Sequence, residues 1–142
     1  MASVYAYRWQ HQPPPQALQS LLLYAWESTI WLDTKAGYVG AYWSYGMGGA
    51  LITEFVRQLR LAMPRVLCEH RLTEMWLFKY DESNGEGIGI HADPAAVNIN
   101  LWLTDDAACL DGGGLAIYAH VPALEQPTQR VNREYESAAA EA

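Results

Sequence analysis

Cysteine is scarce in this chain, which holds two, Cys68 and Cys109. Their spacing suggests neither a metal clip nor a disulfide framework, so both are expected to behave as small buried apolar side chains. Basic residues are few as well: nine Lys and Arg stand against sixteen Asp and Glu, a net charge of −7. Such a surface repels phosphate backbones, which excludes nucleic-acid recognition through a basic face and leaves a small molecule or a protein as the expected partner. A long hydrophobic run is also missing. The stretch from Leu18 to Leu32 is broken by Gln19, Ser20 and Glu27, closes at Asp33 and is too short to span a bilayer. The opening residues MASVYAYRWQ show no basic segment leading into an apolar one, so no signal peptide is expected. A reducing cytoplasmic setting without a membrane is the resulting expectation.

What is present is apolar and aromatic. Hydrophobic residues make up 51% of the 142, including six Trp and nine Tyr, a composition that buries a core rather than staying disordered. A single domain over 1–142 is expected. Residues 3–10 alternate loosely, as an edge strand would. Pro13, Pro14 and Pro15 then break the chain, and Pro15 suits the first turn of a helix. Leu18, Leu21, Leu22, Ala25, Trp26 and Ile30 recur at helical spacing within 16–32. Residues 37–49, rich in Gly and aromatics, read as irregular connection. Leu51, Ile52, Phe55, Val56, Leu59 and Met63 form an apolar stripe, with Glu54, Arg57, Gln58 and Arg60 opposite and Pro64 close behind. Residues 1–70 are therefore expected to be mainly helical.

Beyond residue 70 the pattern becomes strand-like. Thr73–Tyr80 has the composition of a strand buried on both faces. DESNGEG reads as a turn, Ile88–Asp93 as a short strand stopped by Pro94, and Asp111–Gly114 as another turn before a short strand at Leu115–Tyr118. Val97–Thr104 alternates, with Val97, Ile99, Leu101 and Leu103 on one side and Asn98, Asn100 and Trp102 on the other. Residues 119–142 read as a loop and a short helix. Helices first and antiparallel strands later make an α+β pattern.

The chemistry is concentrated around His91 and Asp93. Residues two apart in a strand share a face, so this pair would present an imidazole beside a carboxylate while Ala92 points away. Gly85, Gly87 and Gly89 before it would allow close approach of backbone and ligand. From spacing alone two readings stand: two donors of a metal site, or a strand-end histidine bonded to a turn carboxylate. Two His and one carboxylate on one side of Fe(II) leave three coordination positions open, which is the use such a pair has in metal chemistry.

The segment FKYDESNGEGIGIHADPAAVNINLWLTDDAACLDGGGLAIY, Phe78 to Tyr118, resembles the first half of the double-stranded β-helix of 2-oxoglutarate/Fe(II) dioxygenases. It is most similar to bacterial members with a His-Ala-Asp-Pro-Ala-Ala segment. The resemblance implies helices packed on a partial jelly roll, cupin-like in outline, over 73–118. It implies His91 and Asp93 as the first two iron ligands, Tyr80 as a tyrosine bonded to the co-substrate, and Asn98, Asn100 and Trp102 as lining of the 2-oxoglutarate pocket. The cofactors implied are Fe(II), 2-oxoglutarate and O₂. A carboxylate at position 93 goes with hydroxylation, since it leaves no position for a halide.

The match departs from the family at its end. Members complete the site with a distal His and, soon after, an Arg or Lys that pairs the far carboxylate of 2-oxoglutarate. Here the later histidine is His120, followed by Arg130 and Arg133, and no strand-like run carries them. The expectation is a chain lacking the last strands. A non-catalytic jelly-roll fragment with weak metal affinity, self-associating through exposed strand edges, is therefore the rival reading. A cupin-like metal hydrolase or isomerase fits less well, because those use several His and this chain has His11, His70, His91 and His120.

Overall fold

A computed structural model describes residues 15–80, 88–105, 107, 115–117 and 126–140. The chain is α+β. Helix α1 (Pro15–Glu27) leads to strands β1 (Asp33–Lys35) and β2 (Tyr38–Tyr42), helices α2 (Ala50–Ala62) and α3 (Pro64–Leu67), strand β3 (Trp76–Tyr80) and helix α4 (Thr128–Ala140). The strands form one antiparallel sheet in the order β1-β2-β3.

Helix α1 begins at Pro15, where a missing N–H costs nothing. It buries Leu21 and Ala25 and stops at Glu27, short of the expected end at residue 32. The indole N–H of Trp31 turns back to donate to the Ala25 carbonyl at 3.1 Å, satisfying an acceptor that the ended helix leaves open. Tyr24 ties α1 to the segment before α2: its hydroxyl donates to the Gly48 carbonyl at 3.0 Å and accepts the Gly48 N–H at 3.1 Å.

The segment read as irregular, 37–49, instead contains the central strand of the sheet. Gly37, at φ 82°, turns the chain between β1 and β2, a backbone position that a side chain rarely adopts. On β2, Tyr38, Gly40 and Tyr42 face one side, opposite Tyr80, Phe78 and Trp76 of β3. Phe78 stands across from Gly40 and makes edge contacts with Tyr38 and Tyr42, at 5.5 and 6.1 Å between ring centroids. An aromatic across the ladder thus covers the backbone that glycine leaves bare, and this allowed a strand where composition suggested a loop. The opposite face carries Ala41, 1% exposed, and Lys79, whose ammonium lies 4.8 Å from the Trp26 ring and 4.3 Å from the Trp31 ring.

Helix α2 turns its apolar stripe inward as expected, with Ile52 buried, Leu51, Phe55, Val56 and Leu59 half-buried, and Glu54, Arg57 and Gln58 exposed. Arg60 donates to the carbonyls of His70 and Cys68, at 2.5 and 3.3 Å, and so holds the turn after α3. That turn leaves Cys68 exposed, against the expectation of burial.

Three expected strands find no partner among the described residues. Residues 88–93, 97–104 and 115–117 make no ladder among the described residues, so within 73–118 the described sheet contains β3 alone. Alternation prepares a segment for a sheet, but a strand exists only when a neighbour takes its N–H and C=O groups. Nor is β3 buried on both faces: Trp76 to Lys79 are half-buried and Tyr80 is exposed, with β3 at the edge of the three-stranded sheet. The expected edge strand at 3–10, both turns at 81–87 and 111–114, Tyr118, Cys109 and His120 lie outside the described residues.

Candidate metal centre

His91 and Asp93 sit in a segment with neither helix nor strand, just before a tight turn. The Ala95 N–H donates to the Asp93 carbonyl at 2.8 Å across Pro94, a three-residue turn for which proline's fixed φ is suited. His91 Nε2 and Asp93 Oδ1 face each other at 3.7 Å. The remaining atom of each group is held from behind. His91 Nδ1 lies 2.8 Å from the Gly89 carbonyl, which can only accept, so Nδ1 carries the proton and a neutral ring has its lone pair on Nε2. Asp93 Oδ2 accepts from Asn98 Nδ2 at 2.5 Å, while Oδ1 takes no hydrogen bond among the described residues. Two electron pairs thus face a common gap, wider than the usual N–H···O hydrogen bond.

The donor set fits a divalent cation in this respect. Two ligands at about 2.1 Å and at right angles lie about 3 Å apart, so small side-chain rotations would bring Nε2 and Oδ1 onto one octahedral ion. Anchoring the far nitrogen of a ligating histidine on a carbonyl is also how metal sites orient their rings. Side-chain exposure of 42% for His91 and 19% for Asp93 leaves the pair open to solvent. No third His, Cys, Asp or Glu joins it among the described residues.

The other expected site residues separate. Asn98 belongs with the pair through Asp93. Asn100 and Trp102 are exposed, Trp102 at 57%, and no hydrogen bond among the described residues joins either to His91 or Asp93. Tyr80 ends β3, its ring tilted by 42° against that of its cross-strand partner Tyr38 at 5.7 Å; desolvation and the neighbouring Tyr38 push its phenol up. It too has no described hydrogen bond to the pair. Gly89 serves as the histidine's acceptor and not as a place of close approach, since a Cβ there would meet nothing within 4 Å. Arg130 pairs with Glu134 at 3.0 Å on α4, and Arg133 is exposed on the same helix.

Two features were not visible in the sequence. Asn132 of α4 bonds the backbone of Ala92, a contact across forty positions that no local pattern announces. A cleft of about 560 Å³ lies away from the pair, lined by Leu32, Asp33, Lys35, Tyr42, Ser44 and Tyr45. In it Tyr42 donates to Asp33 at 2.9 Å and Lys35 lies 3.2 Å from the same carboxylate. The tyrosine's hydrogen bond holds the Asp33 carboxyl below its usual range, while burial and that bond push the Tyr42 hydroxyl up to about 12.

No family model, curated protein or solved structure matches the chain.

Proposed function

We propose that this chain carries the iron-binding part of a 2-oxoglutarate-dependent Fe(II) oxygenase of the hydroxylating type, with His91 and Asp93 as two of the metal ligands. The observation that carries the reading is the shared gap between Nε2 and Oδ1, with the ring's other nitrogen and the carboxylate's other oxygen both occupied. Fe(II) bound there would supply the centre at which O₂ and 2-oxoglutarate are consumed and a substrate C–H bond is hydroxylated. Gly89 sets which nitrogen of His91 is the donor, and Asn98 sets which oxygen of Asp93 is free. Asn100, Trp102 and Tyr80 are assigned to the co-substrate pocket by resemblance alone. In the same reading the segments at 88–93 and 97–104 are strands of a double-stranded β-helix, and half-buried Val97, Ile99 and Leu103 between exposed Asn98, Asn100 and Trp102 support that part, although Leu101 on the same side as the three is exposed.

The non-catalytic reading has an observation in its favour too. Ile88, Ile90, Leu101, Trp102, Leu115 and Ile117 are exposed, an apolar surface of the kind that drives self-association. The two readings part in one experiment. Parent, His91→Ala and His120→Ala are compared for Mn(II) binding and for succinate formed from 2-oxoglutarate with Fe(II) and ascorbate. The oxygenase reading expects Mn(II) binding lost in His91→Ala, and succinate formation that either substitution abolishes if His120 is the third ligand. Equal binding in His91→Ala and parent would remove the site, and binding without any succinate would leave the non-catalytic reading.

A further inference from the structure

We infer that Asn132 is a positioning residue for the His91–Asp93 pair, holding the peptide between the two donors and thereby linking their metal affinity to the docking of α4. The inference rests on the reading of His91 and Asp93 as metal donors. Ala92 N–H donates to Asn132 Oδ1 at 2.7 Å, and Asn132 Nδ2 donates back to the Ala92 carbonyl at 3.1 Å. In extended chain the N–H and C=O of one residue point the same way, and a partner strand would take both. Here one side-chain amide takes that place, its two ends set by the fact that the backbone N–H can only donate and the carbonyl only accept.

The consequence falls on the neighbours. With both polar groups of Ala92 bound, its two peptide planes are fixed, and these planes carry the backbone that aims the His91 ring and the Asp93 carboxylate. Among the described residues, this is the hydrogen-bonded connection from 88–105 to a regular element; the other described hydrogen bonds of that segment are local. Helix α4 is itself anchored. Val131, next to Asn132, is 4% exposed, and Thr128 and Tyr135 on the same face are half-buried. Whatever loosens α4 therefore loosens the pair, and by reciprocity a metal on the pair holds α4 down.

The test compares parent, Asn132→Ala, Asn132→Asp and, on the exposed side of α4, Gln129→Ala. Two quantities are read: hydrogen exchange of the Ala92 amide by NMR, and Mn(II) affinity. In Asn132→Ala the amide should lose its protection and Mn(II) binding should weaken by about ten-fold or more, the loss typical of groups that orient metal ligands. Gln129→Ala should leave both unchanged. Asn132→Asp retains the acceptor and should keep the Ala92 amide partly protected, which preserves the test should the alanine variant misfold. An Ala92 amide as fast in the parent as in Asn132→Ala overturns the clamp. A protected amide with Mn(II) affinity equal in parent and Asn132→Ala overturns the positioning role. A parent that binds no Mn(II), like His91→Ala, overturns the metal reading instead, and amide exchange then decides the clamp by itself.

Discussion

At Gly40 the lack of a side chain is used twice. It lets the Tyr42 ring lie across the strand and reach Asp33, the residue paired with Gly40 on β1, and it leaves room for Phe78 on the β3 side. A Cβ at position 40 would stand 3.1 Å from Tyr42 ring atoms, so the ring would have to move and its hydrogen bond to Asp33 would suffer. Gly40→Ala should therefore destabilise the fold by about 1–3 kcal/mol, the usual cost of overpacking, in denaturant unfolding. Tyr42→Phe, which removes the hydroxyl and keeps the ring, should cost about 1 kcal/mol. A Gly40→Ala variant as stable as the parent would refute this account of the strand.

On α2 the exposed face is built around one carboxylate. Glu54 accepts from Arg57 twice, at 2.7 Å each, and from Gln58 at 2.7 Å. The Arg57 hydrogen bonds, then that of Gln58, lower its pKa from 4.5 to about 2. A carboxylate depressed in the folded state stabilises it above the unfolded pKa, and that stabilisation is lost as pH falls toward the folded value. Helix α2 should thus weaken between pH 4.5 and about 2. The pair is exposed, so the effect is small and screened by salt. Comparing unfolding midpoints of parent and Glu54→Gln across this window checks it: the gap between them should narrow as pH falls, and parallel curves would count against the pair.

Across the whole molecule, the proposed metal sits on neighbouring residues, and through the Ala92–Asn132 hydrogen bonds its site touches a helix forty positions away. A ligand that binds the folded chain and not the unfolded one raises stability with its concentration, by about 2.7 kcal/mol at a hundred times its dissociation constant. Mn(II) should accordingly raise the midpoint of thermal unfolding in the parent, a chelator should reverse the rise, and His91→Ala should show neither. A rise of the same size in His91→Ala would place the bound ion elsewhere.

The stripe on α2 was legible because it is a local, periodic demand: Ile52, Phe55, Val56 and Leu59 recur on one side of any helix they form, and the helix turns that side inward. The composition of Trp76–Tyr80 was legible for the same reason, as was the nearness of the His91 and Asp93 side chains, two positions apart. Ladders are different, because each strand depends on what lies beside it. Residues 38–42 carry two unpromising features, a glycine mid-strand and a glycine-rich sequel, and become the central strand because β1 and β3 flank them. Residues 97–104 alternate well and form no described ladder, because alternation supplies a face but no neighbour. The ends of His91 and Asp93 that remain free were decided in three dimensions, by a carbonyl at Gly89 and an amide at Asn98, and the peptide between them by Asn132 on a distant helix. Periodicity along a chain records which side of an element is apolar; hydrogen bonds across forty positions record where that element came to rest.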